Sequence, residues 1–167
     1  LMAKAAARWD AGYPRVSTDM QVERDALQNQ IQALEAYAVA HGLDLHLYAE
    51  EGVSAKDTDR PKLQELLADV RAGRVCTVLV TKLDRISRSL ADLLDLMRLF
   101  DAHGVKFVSL RDSIDTSGPV GRFMLHILGA IAELERGIIA ERVAEDMKLR
   151  ARQVEWGASP LWARGRG

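Results

Sequence analysis

Leu79-Val80-Thr81-Lys82-Leu83-Asp84-Arg85-Ile86-Ser87-Arg88 is the stretch that decides the fold. It joins an apolar, β-prone run to a turn rich in charged side chains. This pattern is typical of a buried parallel strand, and open α/β sheets place their binding sites at that carboxyl edge. Arg85 and Arg88 would share one face if the turn led into a helix. Two guanidinium groups on one face suit a phosphate, because each offers a planar set of donors and keeps its charge. A solvated turn is the alternative reading of this segment alone.

Strand and helix patterns alternate along the first two thirds of the chain. Apolar residues recur at helical spacing from Val22 to His41, after Pro61 and from Leu90 to Phe100, with Gly42, Gly73 and Gly104 as the respective stops. Strand patterns lie within residues 4–14, 43–47, 77–81 and 105–110. The sequence therefore predicts an α/β fold with a mostly parallel central sheet and flanking helices.

The last third predicts a long C-terminal amphipathic helix. Its apolar stripe starts at Val120, and a helix to about Arg152 would be roughly 50 Å long at 1.5 Å per residue. A helix of this length is too long for a domain of this size to cover its whole apolar stripe, so it should pack against a second chain. The alternative is a bent helix that folds back on its own sheet. We expect an α/β core in residues 1–119, an oligomerisation helix in 120–152 and the start of a linker in 153–167.

The composition is that of an ordinary globular domain and excludes several other classes of protein. The chain has 167 residues, 48% of them hydrophobic and 28% charged, with a net charge of −1, as in ordinary globular domains. No apolar run is long enough for a membrane span, and we expect a cytoplasmic protein. The single Cys76 is predicted to be a small core residue, and it excludes a disulfide framework. No metal-ligand spacing is present, and each histidine is expected at the surface or at a helix end: His41, His46, His103 and His126.

Four blocks of residues, in order, resemble the catalytic domain of the serine recombinases, the family of resolvases, invertases and serine integrases. The resemblance extends from about Tyr13 to Arg150. The blocks are Tyr13-x-Arg15-Val16-Ser17-Thr18-x-x-Gln21, Ser54 with Asp59-Arg60-Pro61, Lys82-Leu83-Asp84-Arg85-x-x-Arg88, and Glu133-x-Glu135-Arg136-x-x-x-x-Glu141-Arg142.

The resemblance implies a resolvase-like, Rossmann-like fold and site-specific DNA recombination. Ser17 would attack DNA to give a 5′-phosphoserine linkage, and Arg15, Arg85 and Arg88 would hold the scissile phosphate. Asp84 would either orient an arginine or pass a proton to the leaving oxygen. The chemistry agrees, because fixed cations stabilise the negative charge that develops on a phosphodiester under attack. No cofactor or metal is expected.

Supporting roles follow from the same resemblance. Gln21 and Gln30 would position the nucleophile loop, Arg60 the neighbouring loop, and the long helix would supply dimer contacts and further groups of the site. The expected partners are double-stranded DNA and copies of the chain, as a homodimer that converts to a synaptic homotetramer; no membrane is involved. The remaining residues assigned to DNA-phosphate contacts or to support of the site are Tyr13, Ser54, Lys82, Arg136, Glu141 and Arg142.

Several features depart from the family pattern. Trp9, Asp10, Gly12 and Pro14 argue against a regular first strand, and Pro14, which lacks a backbone donor, should disturb the placement of Ser17. Glu50–Asp59 is predicted to be a polar loop, and Glu50-Glu51 stands at its start where the family usually has an aspartate. No segment after Arg152 is long enough for a DNA-reading domain, so we expect a catalytic fragment that binds DNA weakly.

Two other functions compete with a recombinase. One is a catalytically idle dimerisation module of the same fold, in which the altered first strand has cost the activity. The other is an α/β phosphatase or response-regulator-like domain. The second fits poorly, since no cysteine accompanies a phosphate loop and no acidic cluster follows the first strands.

Overall fold

The computed structural model describes residues 7–16, 21–51 and 60–157, and the chain divides into two compact units, residues 1–128 and 129–167. Strands and helices alternate as predicted. In chain order they are β1 (Trp9–Gly12), α1 (Gln21–His41), β2 (Leu45–Leu47), α2 (Pro61–Arg71), β3 (Val75–Val80), α3 (Leu83–Ile86), α4 (Leu90–Ala102), β4 (Lys106–Ser109), β5 (Ile114–Asp115) and α5 (Pro119–Gly157).

The strands form one sheet in the order β2-β1-β3-β4-β5. All neighbours pair in parallel except β4 and β5, which are antiparallel. This confirms the predicted α/β fold with a mostly parallel sheet and a long C-terminal helix. The two residues of β5 were not predicted, because so short a strand leaves no periodic pattern.

The unusual residues of the first strand are all accommodated. β1 pairs with β2 on one side and β3 on the other, with a register shift between Trp9 and Asp10. The backbone N–H of Asp44 donates to Asp10 Oδ2 at 3.2 Å, and Trp9 Nε1 donates to the Tyr48 hydroxyl at 3.0 Å. A Cβ on Gly12 would lie 2.9 Å from the end of the Leu47 side chain, which would have to move to make room for it. A strand therefore forms despite its composition.

The alternation of side chains along β3 divides the core of the first unit between the two faces of the sheet. Val78 and Val80 pack with residues of α2 and α4 on one face, and Leu79 packs with Leu34 of α1 on the other. Cys76 is half-buried, so its prediction as a core residue is wrong. It lies between two buried residues of the strand, Val75 and Thr77.

The helix that follows β3 is much shorter than expected. α3 ends at Ile86, and Ser87 adopts an extended backbone with φ −152° and ψ 143°. Arg85 and Arg88 therefore do not share a helix face, and that expectation is wrong. α4 starts separately at Leu90, where the Ser89 side chain accepts the backbone N–H of Asp92. The break leaves the carbonyls at the end of α3 available to side chains from elsewhere.

The start of α5 contacts the β5 backbone within the first unit. A Cβ on Gly121 would lie 2.5 Å from the carbonyl carbon of Asp115 and closer still to its oxygen. α5 continues to Gly157, past the predicted end near Arg152. Among the described residues, no helix combines the length and the apolar character needed to cross a bilayer. The predicted domain boundaries remain predictions.

Candidate active site

The candidate site lies at the carboxyl edge of the sheet, beyond β1 and β3. The chain passes from β1 outward to β2 and then returns to the other side of β1 as β3. Such a reversal of strand order opens a crevice between the two strands, where α/β proteins bind ligands. Arg15 follows β1, and Asp84 and Arg85 follow β3. The topology therefore brings together residues that are about 70 positions apart in sequence.

The backbone of Arg15 is held on both sides. Its N–H donates to Gln30 Oε1 at 3.1 Å, and Gln30 Nε2 donates back to its carbonyl at 3.0 Å, so this amide acts like a neighbouring strand. On the other side Glu50 N–H donates to the Pro14 carbonyl, and Val16 N–H donates to the Glu50 carbonyl. Arg15 is thus fixed although Pro14 lacks a donor. The predicted role of Gln30, which was to position the nucleophile loop, remains a prediction.

The guanidinium of Arg15 is directed at the end of α3. Its Nε donates to the carbonyl of Arg85 at 2.8 Å and its Nη2 to the carbonyl of Asp84 at 3.0 Å. Arg60 binds the next carbonyl, since its Nη1 donates to Ile86 at 2.6 Å. The last carbonyls of a helix have no partner within the helix, and arginines satisfy them here. Arg15 and Arg60 therefore hold α3 in place.

Positive charge is concentrated around Arg15. Burial lowers its pKa, and the charges of Arg60, Arg88 and Arg85 lower it further. Asp84 Oδ1 lies 3.8 Å from Arg85 Nε, in a loose ion pair whose carboxylate is exposed. A pair of this kind contributes little. Arg60, Arg85 and Arg88 thus all lie in electrostatic range of Arg15, and this concentration of positive charge favours an anionic ligand.

A buried carboxylate supports the site from behind. Glu50 is 2% exposed, and its Oε2 accepts hydrogen bonds from the Tyr13 hydroxyl at 3.2 Å and from the backbone N–H groups of Lys62 and Leu63 at 3.1 Å each. It therefore caps α2, whose own N-cap residue Arg60 provides no capping side chain. Burial and the adjacent carboxylate raise the pKa of Tyr13. The expectation that Glu50 belongs to a polar loop is wrong.

The sequence indicates that α2 needs a cap from another segment, but not that Glu50 provides it. A helix that begins Arg60-Pro61 has no capping side chain of its own, so its first N–H groups need an acceptor from elsewhere. Several acidic residues precede this helix, namely Glu50, Glu51, Asp57 and Asp59, and no sequence spacing distinguishes Glu50 among them.

The remaining predicted site residues take no part in these hydrogen bonds or lie outside the described residues. Ser17 and Ser54 lie outside the described residues, as does the side chain of Gln21. Lys82 is half-buried at the start of α3, and Arg88 is exposed between α3 and α4. Three other predicted site residues are exposed on the part of α5 that belongs to the second unit, namely Arg136, Glu141 and Arg142. Their predicted roles remain predictions.

No metal centre is present in the part of the chain that the structure describes. Within it, no group of three or more His, Cys, Asp or Glu side chains could hold a metal ion. The histidines are exposed, and those of α1 and α4 stand at helix ends, as predicted for them.

Comparison with known proteins supports the same family. Residues 11–156 match the model of the resolvase N-terminal domain. The Tn917 transposon resolvase of Enterococcus faecalis is 44% identical over 137 residues, 82% of this chain and 68% of that protein. A DNA-invertase of Enterobacteria phage P7 is 44% identical over 131 residues, 78% of this chain and 64% of the invertase. The chain thus spans about two thirds of the length of these relatives.

A solved structure gives the same result. The crystal structure of the N-terminal catalytic domain of TP901-1 integrase is similar with a TM-score of 0.68 and 41% sequence identity. The similarity covers 77% of this chain and 96% of that domain.

Proposed function

The chain belongs to the serine recombinases, of which it contains the resolvase N-terminal domain, and we propose that it cuts and rejoins DNA at specific sites through a serine nucleophile. The observation that carries this proposal is that Arg60, Arg85 and Arg88 lie in electrostatic range of Arg15, whose guanidinium is fixed on the carbonyls of Asp84 and Arg85. A phosphodiester under attack supplies the matching negative charge. The nucleophile, Ser17, is two residues beyond the clamped Arg15 in sequence.

The proposed reaction conserves the phosphodiester energy. The Ser17 hydroxyl oxygen attacks phosphorus, the bond from phosphorus to the 3′ oxygen breaks, and a 5′-phosphoserine ester forms. The proton lost by the serine balances the one gained by the leaving 3′ oxygen. In the reverse step a 3′-hydroxyl attacks the same phosphorus and releases Ser17. Because each step exchanges one phosphate ester for another, rejoining needs no external energy source.

The arginines have different parts in this reaction. Arg15 uses Nε and Nη2 on the α3 carbonyls, so among the described acceptors its Nη1 remains for a phosphate oxygen. Arg85 and Arg88 present their side chains with more exposure and would contact the nonbridging oxygens. Asp84 lies beside Arg85 Nε and would orient that guanidinium.

A suicide substrate tests the activity. The chain is fused to a sequence-specific DNA-binding domain and given a nicked duplex from which the cleaved strand diffuses away. We expect a covalent protein–DNA adduct that resists denaturant, forms in the presence of a chelator and is lost in Ser17→Ala. Ser117→Ala, at an exposed turn serine, is the matched control and should form the adduct at the normal rate. A folded protein that yields no adduct would support the idle dimerisation module instead.

We also propose that α5 mediates a homodimer that converts to a synaptic homotetramer on double-stranded DNA. The part of α5 in the second unit carries a series of apolar side chains that are between 41% and 66% exposed, and their burial would favour association. They are Ile131, Leu134, Ile138, Ile139, Val143, Met147 and Leu149.

Sedimentation equilibrium tests this interface. Ile138→Asp should lower the association constant by at least about tenfold, since a charge would enter an apolar contact. Ala144→Asp is the matched control, because at about 100° per residue the exposed Ala144 falls outside the arc of the helix that these apolar side chains occupy. A wild-type chain that stays monomeric across a wide range of concentrations would contradict the proposed assembly.

A further inference from the structure

The N-terminal end of α3 is held by a residue from another strand connection. Lys82 precedes the helix in an extended conformation and provides no capping side chain. The backbone N–H of Leu83 donates instead to Asp112 Oδ2 at 2.7 Å, across 29 positions of sequence. The Ser109 hydroxyl, at the end of β4, donates to the same oxygen at 2.6 Å. Asp112 therefore does for α3 what an N-cap residue does from within a helix.

The turn that carries Asp112 is itself attached to the end of β3. The backbone N–H groups of Leu110 and Arg111 donate to the carbonyls of Val80 and Thr81 at 3.0 and 2.9 Å. The next residue, Ser113, has a φ of 52°, in the left-handed region that a residue with a side chain seldom adopts. The surrounding contacts thus hold the turn in a conformation that directs the Asp112 carboxylate at the helix.

A helix of four residues cannot keep its own position, because one turn gains too few hydrogen bonds to offset its ordering. α3 is ordered by contacts at its two ends, namely Asp112 on the first N–H and the arginines on the last carbonyls. The carbonyls of Asp84 and Arg85 fix the direction of the Arg15 guanidinium. Any movement of the start of α3 is thereby transmitted to Arg15.

We propose that Asp112 is a positioning residue for the arginine cluster. Its carboxylate would not touch DNA; it fixes α3, and through α3 it fixes Arg15 and Arg85 relative to the scissile phosphate. This inference rests on the proposed function for its catalytic consequence but not for its structural one. Without the Asp112 carboxylate, the Leu83 N–H loses its acceptor, the turn of α3 loosens and Arg15 samples other directions.

Nitrogen-15 NMR of the arginine side chains of the whole chain tests the structural step. The Nε–H signal of Arg15 is assigned by its loss in Arg15→Lys, and its hydrogen exchange is compared with that of the Val78 amide in the buried central strand. In Asp112→Ala we expect Arg15 Nε–H exchange to accelerate about tenfold relative to Val78, as for the loss of a hydrogen bond to a charged group. General destabilisation would accelerate both sites. An unchanged ratio would overturn the proposal.

Two further variants sharpen the test. Asp112→Asn keeps an acceptor oxygen of the same shape and should restore most of the Arg15 protection. Asp95→Ala removes an exposed aspartate of α4 that pairs with Arg98, so it should leave the ratio as in the wild type. Failure of asparagine to restore protection, with alanine and asparagine equally affected, would contradict capping by an acceptor oxygen.

The suicide-substrate assay then tests the catalytic consequence. Asp112→Ala should form the covalent adduct about 10²-fold more slowly, the cost typical of a misplaced catalytic group, and Asp112→Asn should recover most of the rate. If the wild type forms no adduct, the proposed function fails while the NMR result still decides the role of Asp112. If the adduct forms equally fast in Asp112→Ala, the positioning role is refuted and the function stands.

Discussion

Glu50→Ala is the substitution whose effect follows most directly from the contacts of the site. Its side chain is buried and accepts three hydrogen bonds through Oε2, two from the start of α2 and one from Tyr13. Loss of a helix cap costs about 1 kcal/mol, and a buried hydroxyl without a partner costs about 1–3 kcal/mol. Removal of a buried negative charge recovers part of this cost. We therefore expect the free energy of unfolding to fall by about 2 kcal/mol.

Urea denaturation of four proteins measures this effect. They are the wild type, Glu50→Ala, Tyr13→Phe and the double variant, with Glu50→Gln as the isosteric control that keeps one acceptor oxygen. Because the two side chains share a hydrogen bond, the double variant should lose less stability than the two single variants together, with a coupling of about 0.5–3 kcal/mol. Strict additivity, or a Glu50→Ala protein within about 0.5 kcal/mol of the wild type, would refute the role given to this carboxylate.

Two further predictions concern the fold. Gly121→Ala should destabilise the protein by about 1–3 kcal/mol in the same urea assay, because its Cβ would overlap the Asp115 backbone; Gly137→Ala, with nothing within 4 Å of the added Cβ, should instead be neutral or gain up to about 1 kcal/mol from helix propensity. Burial raises the pKa of all three tyrosines, that of Tyr48 to about 12. The protonated form is favoured in the folded state, so its stabilisation is complete below pH 10 and is lost as the pH rises toward 12. Absorbance at 295 nm should show native tyrosines ionising later than in urea, and coincident curves would contradict their burial.

The sheet could be predicted from the sequence because the patterns that specify each strand and helix lie within short segments. Val78 and Val80 face one side of β3 and Leu79 the other, and each face has a helix with apolar residues at the matching period. Glycines with positive φ end α1 and α2 where they were expected, at Gly42 and Gly73. These signals require no knowledge of distant residues. They establish the first four strands and their parallel arrangement, whereas the two-residue β5 leaves no such signal.

The site was predicted less completely, because its contacts are between distant residues. The grouping of Arg15, Asp84 and Arg85 followed from the family resemblance, but the direction of the Arg15 side chain toward backbone carbonyls did not. A capping acceptor from another segment, such as Glu50, has no fixed spacing from the helix that it caps. The prediction that Arg85 and Arg88 share a helix face was wrong because the helix ends at Ile86. The residue types around Ser87 give no signal of that end.

Because of the short helix α3, the arrangement of the arginines depends on the order in which the chain folds. Its stabilising partners lie 29 and about 70 positions away in sequence, so closing those loops must precede any ordered turn between Leu83 and Ile86. A nascent or partly unfolded chain would hold its cationic side chains in no defined arrangement. The ability to break a DNA strand would consequently arise among the last events of folding and disappear at the first local unfolding.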